Sequence, residues 1–302
     1  MSVTRRDFLV LSTVALGAAP FRHVFAAQAP AVTYEAIRRN VGYISAQGGT
    51  IGWLANKDGV VVIDTQYART APACIEALKA HGVGAIDVLF NTHHHADHTG
   101  GNAAFKAIAK KIVAHVRVPE LQRAAAAQQT PPVEQVYADA TFETAWGEEI
   151  GGERVTARHY GPGHTAGDGV ITFEKANIVH LGDLVFNELH PRVDRPGGAS
   201  IQGWIERLGT IARAGRADTR YIVGHAGPGK PVIVGREALA QQARYFDAVL
   251  TYVRKAIAEG RSKSEVAALS ALPGFDTYAS SPPILTLEGV LNAAYDELSS
   301  RG

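Results

Sequence analysis

One loop constrains this chain more than any other stretch of its sequence. Positions 91–101 read NTHHHADHTGG and follow a short apolar run at 86–90, which indicates a buried strand. Open α/β sheets place their ligand sites at the C-terminal ends of their strands. The strand would therefore deliver several imidazoles and one carboxylate into such a site, and the pattern predicts an α/β fold organised around a metal-binding loop.

The spacing of the side chains in this loop fits two neighbouring metal ions. His93 and His95 are two residues apart, so in an extended segment both face one side and can reach one ion. Asp97 and His98 follow where the chain should turn into a helix, and they can face a second ion. Imidazole and carboxylate are the usual ligands of zinc and similar ions. His94 breaks the alternation and is interpreted as a neighbour; the alternative for the whole loop is a solvated, His-rich surface segment.

Three more ligand-type residues lie downstream, each directly after a glycine and close to a strand-like run. They are His164, Asp183 and His225. A glycine at these places lets the backbone come close to an ion. Any one of them alone is a common loop histidine or turn aspartate. Together with the first loop, they predict one site built from segments that are far apart in sequence.

These residues resemble the metallo-β-lactamase superfamily of metallohydrolases. The loop carries the family motif His-x-His-x-Asp-His, and the similarity runs from about residue 50 to residue 225. The resemblance implies a four-layer αββα sandwich with two divalent metal ions at the sheet edge, zinc first, with iron or manganese left open. It implies that one ion is held by His93, His95 and His164, that the other is held by Asp97, His98 and His225, and that Asp183 bridges them.

The resemblance also implies the chemistry. A bridged pair of ions lowers the pKa of a shared water, and the metal-bridging hydroxide attacks an ester-like bond of a small-molecule substrate. Asp97 would be catalytic by orienting that hydroxide. Asp183 departs from the β-lactamases proper, which carry Cys or Ser there, and is closer to glyoxalase II-like thioesterases, lactonases, aryl-sulfatases and sulfur-oxidation relatives. A lactone, β-lactam, thioester or small ester is expected; the alternative is a non-catalytic or redox metal-binding accessory protein of the same fold.

Residues around the ligands carry weaker signals. Asp64 ends a strand-like run and would orient the His93 loop from behind, in the manner of carboxylates that back metal-binding histidines; a plain strand-end aspartate is the alternative. His190 lies in a loop after Asp183 and is a candidate substrate contact. Residues 133–146 form either a lid or a packed connection. Cys74 is the single cysteine, so no intramolecular disulfide is possible, and its helical spacing predicts a buried thiol.

The first residues indicate a targeting segment. Arg5 and Arg6 form a twin-arginine signature before an apolar run at 8–19, which predicts a signal peptide over residues 1–27. A retained N-terminal anchor is the alternative, although the run is too short for a comfortable membrane span. We expect recognition by the twin-arginine (Tat) export machinery and a periplasmic protein that is exported folded, with its metal.

Removing that segment leaves one hydrolase domain, residues 28–302, with C-terminal helices. Roughly 275 residues is near the upper limit for one core. A formal net charge of +1 gives no case for nucleic acid or an anionic membrane surface. The C-terminal helices are expected to pack outside the sandwich or to form a homodimer contact.

Overall fold

The fold is seen in a computed structural model that describes residues 31–130 and 135–300. The predicted signal peptide lies outside these residues, as do positions 131–134. The strands are β1 (Thr33–Arg38), β2 (Val41–Ser45), β3 (Ile51–Asn56), β4 (Gly59–Ile63), β5 (Val88–Asn91), β6 (Ile112–His115), β7 (Ala140–Phe142), β8 (Ala145–Ile150), β9 (Glu153–Arg158), β10 (Val170–Phe173), β11 (Ile178–His180), β12 (Phe186–Asn187), β13 (Arg220–Ile222), β14 (His225–Ala226) and β15 (Ile233–Val234). The helices are α1 (Ala71–Ala80), α2 (Ala96–Thr99), α3 (Asn102–Lys106), α4 (Arg117–Ala127), α5 (Ile201–Ala214), α6 (Arg236–Ala258), α7 (Lys263–Ala267) and α8 (Leu287–Ser299), with a 3₁₀ turn at Gly182–Leu184.

The strands form two mixed sheets. The first runs β1-β2-β3-β4-β5-β6-β7, and the second runs β15-β13-β11-β10-β9-β8. In the first sheet the strands are antiparallel as far as β4 and parallel from β4 to β7. The short pair β12 and β14 lies outside both sheets. Strand β5, in the parallel half of the first sheet, leads into the loop that carries the first ligand-type residues, as the sequence predicted.

Side-chain alternation explains why the two sheets stack. In β4, Val61 and Ile63 enter the core between the sheets, whereas Val62 points to the outer face. In β10 of the second sheet, Ile171 enters that same inner core and Val170 belongs to the outer one. Successive residues of a strand face opposite sides, so strands that are apolar on both faces must be covered on both.

Helices cover the two outer faces. Helices α1 and α3 pack on the first sheet through residues such as Leu78 and Phe105. Helices α5, α6 and α8 pack on the second sheet, with Trp204 and Tyr245 among their fully buried side chains. Burying each large apolar side chain of this kind contributes roughly 1.5–3 kcal/mol. The result is the predicted four-layer αββα sandwich, with the C-terminal helices packed on its outside.

Several local features follow directly from the sequence, and the predicted burial of Cys74 is confirmed. Asp58 and Gly59 turn the chain between β3 and β4, which pair antiparallel, and helix α1 crosses over to a parallel β5. Ser200 caps α5 by accepting a hydrogen bond from the backbone N–H of Gly203. Cys74 is buried in α1, and burial raises its thiol pKa to about 11. Strand β1 was missed, because its pairing with β2 leaves most of its side chains exposed or half-buried and its sequence pattern is weak.

The described part of the 133–146 segment is packed. The side-chain amide of Asn102 donates to the carbonyl of Val136, and the Trp146 ring meets Phe90 edge-on at 4.9 Å. Trp146 is half-buried and packs against the core between the sheets. Among residues 31–130 and 135–300, no helix combines the length and the apolar character that crossing a membrane requires.

Candidate metal centre

One carboxylate holds the loop after β5 in place. Asp64 adopts a left-handed backbone conformation (φ 65°) at the end of β4, which turns its side chain toward the loop. Its Oδ1 accepts from the backbone N–H of Thr92 at 2.7 Å, and its Oδ2 accepts from Thr92 Oγ1 at 2.7 Å and from His98 Nδ1 at 2.8 Å. The sequence prediction that Asp64 orients this loop therefore matches the structure, and Asp64 also fixes His98 directly.

All seven ligand-type residues come together in two groups that share Asp183. Within each group the candidate ligand atoms lie within 4.8 Å of one another. We call them the first group (His93, His95, His164 and Asp183) and the second group (Asp97, His98, His225 and Asp183). They lie where the loops after β5, before β10 and after β11 meet strand β14, so four separate segments supply the site.

Asp183 stands between the groups and approaches histidines of both. Its Oδ1 lies 3.0 Å from Nε2 of His98, and its Oδ2 lies 3.4 Å from Nε2 of His225, 3.5 Å from Nε2 of His164 and 3.7 Å from Nε2 of His93. The side chain is 4% exposed, and Oδ1 has no hydrogen-bond partner among the described residues. A buried carboxylate oxygen facing only imidazole nitrogens is suited to a cation.

The outer nitrogens of the histidines fix which nitrogen faces the centre. His95 Nε2 contacts Oδ2 of Asp194 at 2.9 Å, and His164 Nδ1 contacts the carbonyl oxygen of Arg192 at 2.9 Å. These oxygens only accept hydrogen bonds, so each outer nitrogen carries the proton and each inner one presents a lone pair. His93 is set in the same way, because Nδ1 faces Thr92 Oγ1 at 3.0 Å while that hydroxyl already donates to Asp64.

Three inner nitrogens of the first group thus converge without a proton between them. Nδ1 of His95 lies 3.1 Å from Nε2 of His93 and 3.0 Å from Nε2 of His164. Lone pairs at this spacing repel one another unless a cation lies between them, and three nitrogens of this kind are a familiar zinc ligand set. The residues present therefore fit a divalent metal ion in the first group.

Burial keeps the first group neutral. It lowers the pKa of His93 and His164 well below the ordinary value and that of His95 to about 4. Neutral imidazoles are the form that binds metal ions.

The second group is more open and more strongly charged. Burial opposes a proton on His98 and His225, but the carboxylates of Asp183 and Asp97 outweigh it. They raise the pKa of His98 well above its ordinary value and that of His225 to about 9. His225 Nε2 lies 3.1 Å from Oδ2 of Asp97. The same carboxylates favour a divalent cation, which binds only neutral imidazole, so metal binding here should release protons.

Glycines lie where a Cβ atom would clash with the ligands or with the residues that support them. A Cβ at Gly224 would overlap Oδ1 of Asp183, and one at Gly182, where φ is +52°, would press on Thr92. The predicted need for glycine beside the ligands is met at these positions. No sequence signal pointed to Gly49, where a Cβ would overlap the ring of His98.

These observations decide the family. The sequence model described as "Metallo-beta-lactamase superfamily" matches residues 45–239, a span that contains both ligand groups. The chain belongs to the metallo-β-lactamase superfamily. The predicted fold and family are confirmed, and the prediction of a metal-dependent hydrolase agrees with this membership.

Relatives in the superfamily act on different molecules according to their names. The chain is 32% identical over 134 residues to a hydroxyacylglutathione hydrolase of Brucella anthropi, covering 42% of this chain and 46% of the relative. It is 27% identical over 161 residues to the 2,4-dinitroanisole O-demethylase subunit alpha of Nocardioides sp., covering 52% and 47%. It is 25% identical over 175 residues to metallo-β-lactamase IND-1 of Chryseobacterium indologenes, covering 57% and 70%. The chain spans about half the length of the first two.

Solved structures of the superfamily share the fold. The sec-alkylsulfatase Pisa1 of Pseudomonas sp. matches with a TM-score of 0.68 at 16% identity, over 88% of this chain and 50% of that one. A metallo-β-lactamase from Pontibacter korlensis matches with a TM-score of 0.59 at 19% identity, over 72% and 99%. At these identities, the likeness concerns the fold alone.

A cavity of about 720 Å³ opens over the two ligand groups. Asp97, Asp183 and His225 lie at its base, and residues 280–285 line its wall from the C-terminal region. This wall was not anticipated from the sequence. It includes Ile284, whose side chain is 54% exposed.

His190 is not among the residues that line this cavity. It is buried, with Nδ1 2.7 Å from the hydroxyl of Tyr245 and its backbone N–H donating to the carbonyl of Ala279. The structure therefore places it behind the cavity wall, and its assignment as a substrate contact stays a prediction without geometric support. No residue of the described part of 133–146 lines the cavity either.

Asp194 and His94 form a third cluster behind the first group. Oδ2 of Asp194 lies 2.9 Å from Nε2 of His95 and 3.3 Å from Nε2 of His94, and Oδ1 accepts from the backbone N–H of Gly197. His94 is thus a neighbour of the ligands, as expected. No sequence spacing connects Asp194 with a histidine 99 positions earlier.

Proposed function

We propose that the protein is a dinuclear metal-dependent hydrolase that cleaves an ester-like bond of a small molecule. The observation that carries this is the convergence of imidazole nitrogens, which are proton-free in the first group, and two carboxylates on two adjacent places that share Asp183, beneath an open cavity. Two divalent ions held there supply polarisation of the scissile group and a water of lowered pKa. Zinc is the first choice for both, because the donor set is nitrogen and carboxylate oxygen.

The protein's own residues hold and orient the reactants. Asp97 lies at the cavity base with 18% of its side chain exposed, and its Oδ2 approaches His225. A carboxylate can accept several hydrogen bonds, so Asp97 can contribute to the second group and accept a hydrogen bond from the attacking water. Asp183 fixes the spacing of the two groups, and His225 closes the second from the cavity side.

The names of the relatives support an ester-like substrate. A hydroxyacylglutathione hydrolase and a metallo-β-lactamase by name act on acyl bonds. We propose that this chain acts on a member of the same broad class: a lactone, β-lactam, thioester or small ester.

We further propose that residues 1–27 direct twin-arginine export and that the protein works in the periplasm. The support is the Arg5-Arg6 signature with its apolar run. Replacing both arginines by lysine (Arg5→Lys with Arg6→Lys) should leave the protein in the cytoplasm with its leader attached. Fractionation and the mass of the recovered chain test this; undiminished periplasmic recovery contradicts it.

The central experiment combines metal content with turnover. Purified protein loaded with zinc, iron or manganese is analysed for bound metal and screened against ester, lactone, thioester, sulfate and β-lactam substrates. We expect about two ions per chain and at least one substrate whose hydrolysis stops on chelation and returns on reloading. A stoichiometry of one or fewer, or turnover that survives chelation, contradicts the dinuclear proposal. Asp97→Asn tests the role of that carboxylate in the same assay.

A further inference from the structure

A buried carboxylate of the C-terminal helix α8 reaches the beginning of helix α5. The side chain of Glu297 is 1% exposed. Its Oε2 accepts from the backbone N–H of Ile201 at 2.8 Å and from Nη1 of Arg195 at 3.3 Å. Its Oε1 accepts from the hydroxyl of Ser200 at 3.2 Å and from the backbone N–H of Gln202 at 3.3 Å. The first N–H groups of a helix have no partner within it, so this carboxylate joins α8 to the N-terminus of α5.

The segment that leads into α5 lies against the first ligand group. We call residues 194–200 the clamp segment. At one end, Oδ2 of Asp194 contacts Nε2 of His95 at 2.9 Å. At the other end, the backbone N–H of Ser200 donates at 3.0 Å to the carbonyl of Gly163, the residue before a ligand histidine. The clamp segment therefore contacts two of the loops that supply the first group.

A continuous chain of hydrogen bonds connects Glu297 with the start of the clamp segment. Nη1 of Arg195 donates to the carbonyl of Ala199 at 2.6 Å as well as to Glu297. The backbone N–H of Ala199 donates in turn to the carbonyl of Asp194 at 2.9 Å. The planar guanidinium thus closes the segment on itself while the buried carboxylate fixes the guanidinium. Loosening Glu297 should loosen the residue that orients His95.

The second ligand group is supported from elsewhere. His98 is held at 2.8 Å by Asp64, which lies at the end of β4 in the first sheet. Helix α8 lies beyond residue 239, where the superfamily match ends. A contact from α8 should therefore act on one group and not on the other.

We infer that Glu297 is a positioning residue for the first ligand group and that helix α8 belongs to the support of the metal centre. The inference rests on the proposed metal site but not on hydrolysis. Glu297 acts through the clamp segment, which keeps the Asp194 carboxylate on the outer nitrogen of His95. That contact holds the proton on Nε2 and leaves the lone pair of Nδ1 toward the centre. Groups that orient a ligand in this way raise the affinity for the ion.

Zinc affinity measured separately for each group tests this apart from turnover. Zinc-loaded wild type and Glu297→Gln are titrated with a chelator, while the ring-nitrogen NMR signals of His164 and His225 report the first and second groups. Glutamine keeps the size of the side chain but turns an NH₂ toward N–H donors. We expect the zinc affinity of the first group to fall about tenfold, the lower end of the range for partners that hold a ligand directly. The affinity of the second group should change less than about twofold.

A matched control separates positioning from ordinary stability. Leu291→Ala leaves a cavity in the hydrophobic core under the same helix and should lower the melting temperature to an extent comparable with Glu297→Gln. It should leave both zinc affinities within about twofold of the wild type. Arg195→Leu, at a partly exposed side chain, should give a smaller loss in the first group. It replaces Glu297→Gln if thermal melting shows that variant to be unfolded.

Spectra of the metal-free protein supply a second measurement. The ring proton of His95 should be fixed on Nε2 in the wild type and shared between the two nitrogens in Glu297→Gln. An unchanged first-group affinity with an unchanged His95 proton overturns the inference, as does an equal loss in Leu291→Ala. If the wild type binds no zinc, the proposed function fails and the His95 proton alone decides the role of Glu297. If zinc binding depends on Glu297 but no substrate is hydrolysed, the positioning role stands and the hydrolase function fails.

Discussion

The two ligand groups share Asp183 but are built differently. In the first group, each histidine is held by an outer acceptor, and His93, His95 and His164 are all buried. In the second group, the side chains of Asp97 and His225 are 18% and 17% exposed and face the cavity. The comparison teaches that the first group is the more enclosed of the two, whereas the second is more open to the cavity through Asp97 and His225.

Removing the shared carboxylate of Asp183 should reduce metal binding and turnover more than any other change proposed here. Asp183→Ala takes an anionic ligand from both groups, but the first keeps its three histidines and their outer partners. We expect about one tightly held ion, near-normal folding, and turnover reduced at least roughly a hundredfold. Metal analysis and steady-state kinetics check this. Retention of both ions with full turnover would show that Asp183 is only a turn residue.

Removing the support behind the first group should weaken that group selectively. Asp194→Ala removes the acceptor that fixes His95, and losses of about 10–100-fold in metal affinity are typical for such partners. Asp194→Asn keeps an acceptor but loses the charge, so its metal affinity should lie between those of the wild type and Asp194→Ala. Competition with a chelator measures the affinities. As a matched control, Asp58→Asn at an exposed ion pair with Lys57 should change them less than about twofold. Equal loss of both ions in Asp194→Ala would contradict the comparison.

Replacing His190 distinguishes a structural role in its loop from a role in contacting the substrate. Its ring is bonded to Tyr245 and lies outside the cavity lining, so His190→Ala should cost about 1–3 kcal/mol of folding free energy through the unsatisfied, buried hydroxyl. KM should stay within about twofold, since the wall in front is unchanged. Urea unfolding and kinetics are the measurements. A large rise in KM with unchanged stability would restore the substrate-contact role predicted from the sequence.

The smallest effect concerns pH. The rings of His115 and His159 stack at 3.9 Å, and His159 Nδ1 lies 2.8 Å from the carbonyl oxygen of Asp168 in the loop that carries His164. Burial and the positive charge of His159 lower the pKa of His115 to about 4. A depressed histidine pKa means that the unfolded chain binds the proton more readily, so stability is lost as pH falls from about 6.5 towards about 4.

His115→Phe should reduce that loss. The melting temperatures of the metal-free wild type and variant are measured from pH 7 to pH 4, and their slopes against pH are compared. Near pH 7 the two curves should differ only by a constant offset. Parallel curves over the whole range would show that the stacked pair does not titrate on folding.

The ligands themselves could be predicted because each carries a local signal. His93 and His95 alternate after an apolar strand, and His164, Asp183 and His225 each follow a glycine. The support around them could not be predicted. Asp194 meets His95 only because a loop of the second sheet folds back over the first, and Gly49 is required only because the ring of His98 comes to lie against it. Contacts of this kind depend on packing between distant segments, and no periodicity records them.

The same reasoning explains why the geometry gives His190 no support as a substrate contact. Its position after Asp183 suggested the cavity, but the following turn directs Arg192 there and sends His190 toward α6. Which of two neighbouring side chains faces a pocket is decided by backbone geometry that the sequence pattern does not reveal.

The wall at residues 280–285 has a consequence for how such a protein can diversify. The superfamily match ends at residue 239, so this part of the cavity comes from a stretch beyond the match, and that stretch supplies none of the ligand-type residues. Substitutions there can alter the shape and polarity around a substrate while leaving the ion-holding residues untouched. Substrate fit at this wall can therefore be changed separately from the side chains that hold the ions.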